Sequence, residues 1–219
     1  MTTRVAIYYA PAETDPLWTA GCHWLGRDPQ SNRRLVSPYD ALTEAPRLYG
    51  FHATLKPPMR LARSWPAFID DAIALASRIA PFDLPPLTVT NVDGFLALLE
   101  TAPCPALHNL ADACVRDLDA HRVPPGASEI AKRRKAGLSP KQDAMLLTWG
   151  YPYVLTTWQF HMTLTRRLTA AERATVQPDA EAHFATAIAL AHRVEDICLF
   201  TQAAPEAPFI LAERLKLHG

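Results

Sequence analysis

Two short stretches hold the residues whose types and spacing could do chemistry together: Phe51-His52-Ala53-Thr54-Leu55 and Phe160-His161-Met162-Thr163-Leu164. Both read F-H-x-T-L, with their histidines 109 residues apart. Alternate side chains of a β-strand share a face, so each copy would place its His and Thr on one side and its Phe, middle residue and Leu on the other. Imidazole titrates near a pKa of about 6.5 and can take or give a proton at neutral pH. A hydroxyl two residues along can hydrogen-bond an oxygen on which charge develops. Two such faces meeting across a cleft would form an acid/base pair: one histidine takes a proton from water while the other protonates a departing alkoxide.

Other residues lie close enough to join them. Lys56 falls on the His52 side of its strand and could meet phosphoryl oxygens, or could be a solvated strand end. Thr165 and Arg167 extend the His161 face in the same way. Tyr8 is on a strand that could border the first motif, and Tyr49, Tyr151 and Tyr153 flank the two motifs, where they could cap a substrate or serve as packing. The run Lys132-Arg133-Arg134-Lys135 is either a solvated loop or a phosphate clamp with Arg133 or Arg134 in bidentate contact. His108, His121, His183, His192 and His218 lack the repeated context and read as surface or helix-flank residues. Neither motif adjoins an H-x-x-x-H, H-E-x-x-H or carboxylate cluster, so no metal and no cofactor is expected.

The elements that must position these groups can be read from pattern and punctuation. Val5 to Ala10 is strand-like, and Asp15-Pro16 opens a helix that Gly26 closes. Residues 27–48 read as an irregular connection with a short helix near Ser37-Pro38. The first motif strand is expected from Tyr49 to Pro57, with pairing stopping or bulging at Pro57-Pro58. An amphipathic helix follows over Trp65 to Ala80. Asp93-Gly94 then joins two strands, Leu87 to Val92 and Phe95 to Leu99. Pro105 to His121 is helical, and 122–137 is a basic connection. Ser139 and Gln142 form a capping box ahead of the second motif strand, expected over Thr156 to Thr165. Thr169 and Glu172 form another box, Pro178-Asp179 begins a longer helix, and Val194 to Gln202 and Pro208 to Leu217 close the chain as strands. After each motif the order is therefore a helix and then two strands, which makes the repeated pentapeptide part of a repeated unit.

These longer strings identify a resemblance. Tyr8-Tyr9-Ala10-Pro11, Tyr49 to Lys56, Leu138 to Gln142, Trp149-Gly150-Tyr151-Pro152-Tyr153 and Phe160 to Thr165 resemble the 2H phosphoesterase superfamily, which carries two H-x-[ST] motifs. Within it they are most similar to a branch of phosphonate-metabolism proteins encoded beside carbon–phosphorus lyase genes. The chain departs from that branch in a shorter 27–48 connection and in Met59, where an aromatic residue is common. The resemblance implies one α+β domain over 1–219, a pseudo-symmetric bilobal fold. Two antiparallel sheets would face each other across a cleft, with helices on the outer faces and lobes approximated by 1–121 and 138–219. It also implies metal-independent hydrolysis of a small cyclic phosphate: a cyclic ribose phosphate, or a 2′,3′-cyclic nucleotide or RNA end. His52 and His161 would be catalytic and Thr54 and Thr163 would bind phosphate. The rival reading is a noncatalytic module that holds a nucleotide or RNA end in the same cleft.

Composition narrows the partners. Lys plus Arg equals Asp plus Glu, giving zero formal net charge, which favours a small phosphorylated substrate over long nucleic acid. No apolar run approaches the roughly 20 residues that span a bilayer, and Met1-Thr2-Thr3-Arg4 reads as leading straight into a strand, so a cytoplasmic protein without a membrane partner is expected. The four cysteines are scattered and read as reduced, partly buried thiols. No G-x-x-x-x-G-K-[ST] phosphate loop is present, which argues against a ligase or phosphotransferase.

Overall fold

The computed structural model describes residues 4–219; Met1 to Thr3, read as the approach to the first strand, lie outside the described residues. In chain order the elements are β1 (Arg4–Tyr9), α1 (Pro16–Leu25), α2 (Asp40–Tyr49), β2 (Ala53–Met59), α3 (Trp65–Ala76), β3 (Phe82–Asp83), β4 (Leu87–Val92), β5 (Phe95–Glu100), α4 (Pro105–Asp117), α5 (Ala127–Arg134), α6 (Pro140–Trp149), β6 (Met162–Thr163), α7 (Ala170–Ile188), β7 (Arg193–Val194), β8 (Asp196–Gln202) and β9 (Ile210–Lys216). Seven strands form one antiparallel sheet in the order β4-β5-β6-β2-β1-β8-β9, and β3 pairs with β7 in a small second sheet. The fold is α+β. The two motif strands, β2 and β6, are neighbours at its centre, joined by the pair Ala53↔Met162.

The halves of the sheet do not follow the halves of the chain. The β4–β5 hairpin, which follows the first motif, pairs with the second motif strand. The β8–β9 hairpin, from the end of the chain, pairs with β1 beside the first. Each lobe therefore takes its outer hairpin from the other half of the sequence, and the division at 122–137 is not the spatial one. That connection is itself partly helical, because the basic run falls in and just after the last turn of α5.

Local signals set most of the element ends. Ser139 with Gln142 and Thr169 with Glu172 form capping boxes at the starts of α6 and α7. Asp93 and Gly94 both have positive φ (47° and 98°), the backbone that a two-residue hairpin turn needs to match strand twist. Several expected boundaries move, among them α3, which ends at Ala76, and β2, which runs on through Pro57-Pro58 to Met59. Tyr49 ends α2 rather than beginning a strand, the second motif strand shortens to Met162–Thr163 after a 3₁₀ turn at Leu155–Thr157, and α7 runs unbroken through Pro178.

One face of the sheet carries the main core. Phe51, Ala53, Leu55, Phe160, Met162 and Leu164 are all fully buried there with side chains from α1, α3, α4 and α7. Full burial of each of the larger ones is worth roughly 1.5–3 kcal/mol, enough to fix which face of each motif looks outward. Two histidines read as peripheral are interior. His121 and His192 are buried and bonded to Asp71 (2.7 Å) and Asp15 (2.9 Å), tying α4's end to α3 and the β7 region to α1. The four cysteines are free and buried. No helix among the described residues is long and apolar enough to cross a membrane.

Candidate active site

The register Ala53↔Met162 decides how the motifs meet. Because β2 and β6 are antiparallel, it sets His52 opposite Thr163 and Thr54 opposite His161. The cleft has two adjoining chambers that follow this crossing. One, of about 300 Å³, is lined by His52 and Thr163; the other, of about 340 Å³, by His161 and Thr54. Phe95 and Arg167 line both. Diagonal neighbours across a strand pair stand about 7–8 Å apart, so the two histidines are close enough to flank one small group.

Each imidazole is anchored alike. His52 Nδ1–H donates to the Gly50 carbonyl at 2.9 Å, and His161 Nδ1–H donates to the Gln159 carbonyl at 3.0 Å. A carbonyl can only accept, so both rings carry their proton on Nδ1 and keep Nε2 for exchange. The bond to Gly50 depends on a backbone at φ 81°, ψ 177°, open to glycine and costly for other residues. Thr54 also donates its hydroxyl to His52 Nε2 at 3.3 Å. Indole N–H groups brace both strands: Trp158 Nε1 donates to the Thr54 carbonyl (2.7 Å) and Trp24 Nε1 to the Leu164 carbonyl (3.0 Å).

Electrostatics separates the two rings. Burial lowers His52 to about 4, with the nearby His161 adding to the effect and the Gly50 carbonyl opposing it. Burial also lowers His161, opposed by the Gln159 carbonyl and by the negative field of Glu100.

The other candidates divide. Tyr8 is fully buried and stacks on His52 with ring centres 3.7 Å apart; burial raises its phenol well above the usual value. Tyr49 lines the His52 chamber and stacks on Phe209. Tyr151 and Tyr153 line the His161 chamber, edge to face with each other. Arg133 lies over the Tyr151 ring at 4.8 Å and bonds Glu129, whereas Arg134 is exposed and held in a two-point pair by Asp143, away from the cleft. Thr165 touches the His52 chamber, yet its hydroxyl accepts from the Leu96 N–H at 3.0 Å and so is occupied in holding β5 to the motif.

Lys56 does not face the histidines. The pairs Tyr8↔Thr54 and Ile7↔Lys56 leave Leu55 as an extra residue, a β-bulge that breaks the alternation, and a second irregularity follows before Met59. Lys56 is thereby turned onto the helix-covered face. It donates to the Val115 carbonyl at 2.9 Å and pairs with Asp119 at 3.5 Å. Burial lowers its ammonium to about 8, with Asp119 pulling the other way. Phe95 and Trp158, which sequence reading did not single out, reach the cleft because β5 pairs with β6 and the 3₁₀ turn folds back onto β2. The Asp93-Gly94 turn was the available signal for Phe95, but nothing local says which strand that hairpin joins.

A family model described as "Protein of unknown function (DUF1045)" matches residues 54–210, well over half of the chain. The chain belongs to this family. Two curated relatives of this DUF1045 member are both named ribose 1,5-bisphosphate phosphokinase PhnN. That of Janthinobacterium sp. (strain Marseille) is 36% identical over 99% of the chain and that of Laribacter hongkongensis 34% identical over 95%. The chain spans about half of their length, 51% and 50%. Among solved structures, apo LigT of E. coli aligns over 100% of the chain and 99% of its own, with 13% identity and a TM-score of 0.50. The DUF1045 chain thus has a LigT-like fold, the architecture of the 2H phosphoesterases that its two H-x-T motifs resemble.

Proposed function

We propose that the protein is a metal-independent cyclic phosphodiesterase that opens a small cyclic phosphate by two-histidine acid/base catalysis. The observation that carries this reading is the crossed register, which gives each chamber one histidine from one motif and the threonine of the other. His52, held neutral by burial, is the base: its Nε2 takes a proton from water as the water attacks phosphorus. His161, more open and in the field of Glu100, is the acid that protonates the departing alkoxide. The Thr54 hydroxyl, which gives up its bond to His52 Nε2 when the water takes that place, and the Thr163 hydroxyl donate to the nonbridging oxygens as charge builds there, and Arg167, at the boundary of the chambers, neutralises it.

The substrate reading rests on the relatives' name. A phosphokinase of ribose 1,5-bisphosphate requires a reaction that supplies that compound. Cleaving the P–O2 bond of a ribose 1,2-cyclic phosphate that also carries a 5-phosphate yields ribose 1,5-bisphosphate. Purified protein in EDTA should convert this substrate to a product with two phosphomonoester signals in phosphorus NMR. Tight stoichiometric binding without product over long incubation would favour the noncatalytic module, and loss of turnover on chelation would overturn the metal-free scheme.

A further inference from the structure

A third cavity, about 520 Å³, opens beside the His52 chamber on the far side of Tyr49, which lines both. Its walls bring Arg4, Arg60, Arg122 and Lys132 together from four places in the chain, against the carboxylates of Glu129 and Glu206. Four cations facing two anions leave an excess of positive charge that the zero net charge of the whole chain conceals.

The cavity is assembled by the same elements that build the active site. Arg4 alternates with Tyr8 along β1 and so stands on the cleft face; its Nε donates to Gln202 and its guanidinium lies over Phe209, the ring on which Tyr49 stacks. Arg122 is clamped by Asp119 through Nε and Nη2, leaving Nη1 beside Gly150. Gly150 caps α6 at φ 75°, where a Cβ would stand 2.8 Å from that Nη1. Glu129 is engaged by Arg133. Arg60 and Lys132 are exposed, and among the described residues neither side chain has a hydrogen-bond or ion-pair partner.

We propose that this cavity is a second anion subsite, which receives a further phosphate group of the substrate while the cyclic phosphate lies between the histidines. The inference rests on the phosphodiesterase reading and deepens it: it assigns the residues that would receive the phosphomonoester of a cyclic phosphate that carries one. Two arginines are fixed in place by their own partners, Arg122 with Nη1 left over and Arg4 with its two terminal nitrogens, and two unpartnered cations are free to close on the dianion. The basic run then has three separate uses: Lys132 faces this cavity, Arg133 packs on Tyr151, and Arg134 pairs with Asp143.

The test compares ribose 1,2-cyclic phosphate with and without a 5-phosphate in the wild type, Arg60→Ala, Lys132→Ala and the double variant. Because both side chains are exposed and unpartnered, circular dichroism and melting temperature should not change. The expected result is a fall in kcat/KM of about tenfold per cation on the 5-phosphorylated substrate, in line with the strength of charge-assisted contacts, and less than twofold on the other. Equal losses on the two substrates, or no loss on either, would overturn the subsite. If the wild type opens neither substrate, the phosphodiesterase reading fails separately. Calorimetry with inorganic pyrophosphate then decides the subsite: binding that the double variant loses supports it, and equal or absent binding overturns it.

Discussion

His52 lies under the ring of Tyr8, 3.7 Å from centre to centre, beside a seven-residue strand, whereas His161 borders a two-residue strand with Phe95 5.9 Å away. Both make the same bond from Nδ1 to the carbonyl two residues back. The repeat therefore reproduces orientation and leaves surroundings free to differ. On the proposed mechanism that difference divides the roles: burial lowers both imidazoles, His52 to about 4, and at His161 the Glu100 carboxylate opposes the fall and favours the charged form that an acid needs.

The comparison breaks most visibly at the imidazoles. His52→Ala and His161→Ala should each lower kcat by about 10²- to 10⁴-fold with the fold intact by circular dichroism. They should part company on substrates with an activated leaving group such as p-nitrophenolate, which needs no acid. His161→Ala should recover on them and His52→Ala should not; the reverse would exchange the assigned roles. Next come the hydroxyls, where Thr54→Val and Thr163→Val should cost about 10²-fold in kcat each, the scale of one lost donor to a developing oxyanion. If either valine variant kept wild-type turnover, its threonine would be a strand former and nothing more.

Lys56 sharpens the contrast, because the motif strands stop resembling each other at that point. With Lys56 turned toward α4, Lys56→Met should leave kcat/KM unchanged. Asp119→Ala should destabilise by about 3 kcal/mol in urea denaturation, since it leaves a buried ammonium with only the Val115 carbonyl and also releases Arg122. Loss of activity in Lys56→Met at an unchanged melting temperature would return Lys56 to the cleft.

What could be read from the sequence was what neighbouring residues decide. The capping boxes at Ser139 and Thr169, the Asp93-Gly94 turn and the inward faces of both motifs follow from patterns within a few residues. Pairings over long separations were not legible. Val89 meets Leu98 nine residues on, as the turn dictates, but Leu98 also meets Met162, a choice made by packing among several strands of similar character. Pro57-Pro58 announced a bulge without its position; starting it at Leu55 rather than beyond Lys56 reversed the lysine. Thr54 and Thr163 were legible because they share a strand face with a histidine, and Tyr8 because its strand could border the first motif, whereas Phe95 and Trp158 enter the cleft through tertiary contacts alone.

The smallest expected effect is on stability against pH. His52 is lowered from about 6.5 to about 4 in the fold, so below pH 6.5 the unfolded chain binds a proton that the folded chain does not. Its contribution is complete above pH 6.5 and is lost as the pH falls toward 4. Discounted for the ring's partial exposure, the loss is on the order of 2 kcal/mol. His52→Gln has no such proton to exclude, so its stability relative to wild type should rise between pH 6.5 and 4 by that amount in urea titrations. The same substitution at His161 should give a smaller rise, because Glu100 already favours its charged form. Equal rises in the two variants would mean that the rings share one environment, and the division into base and acid would lose its physical cause.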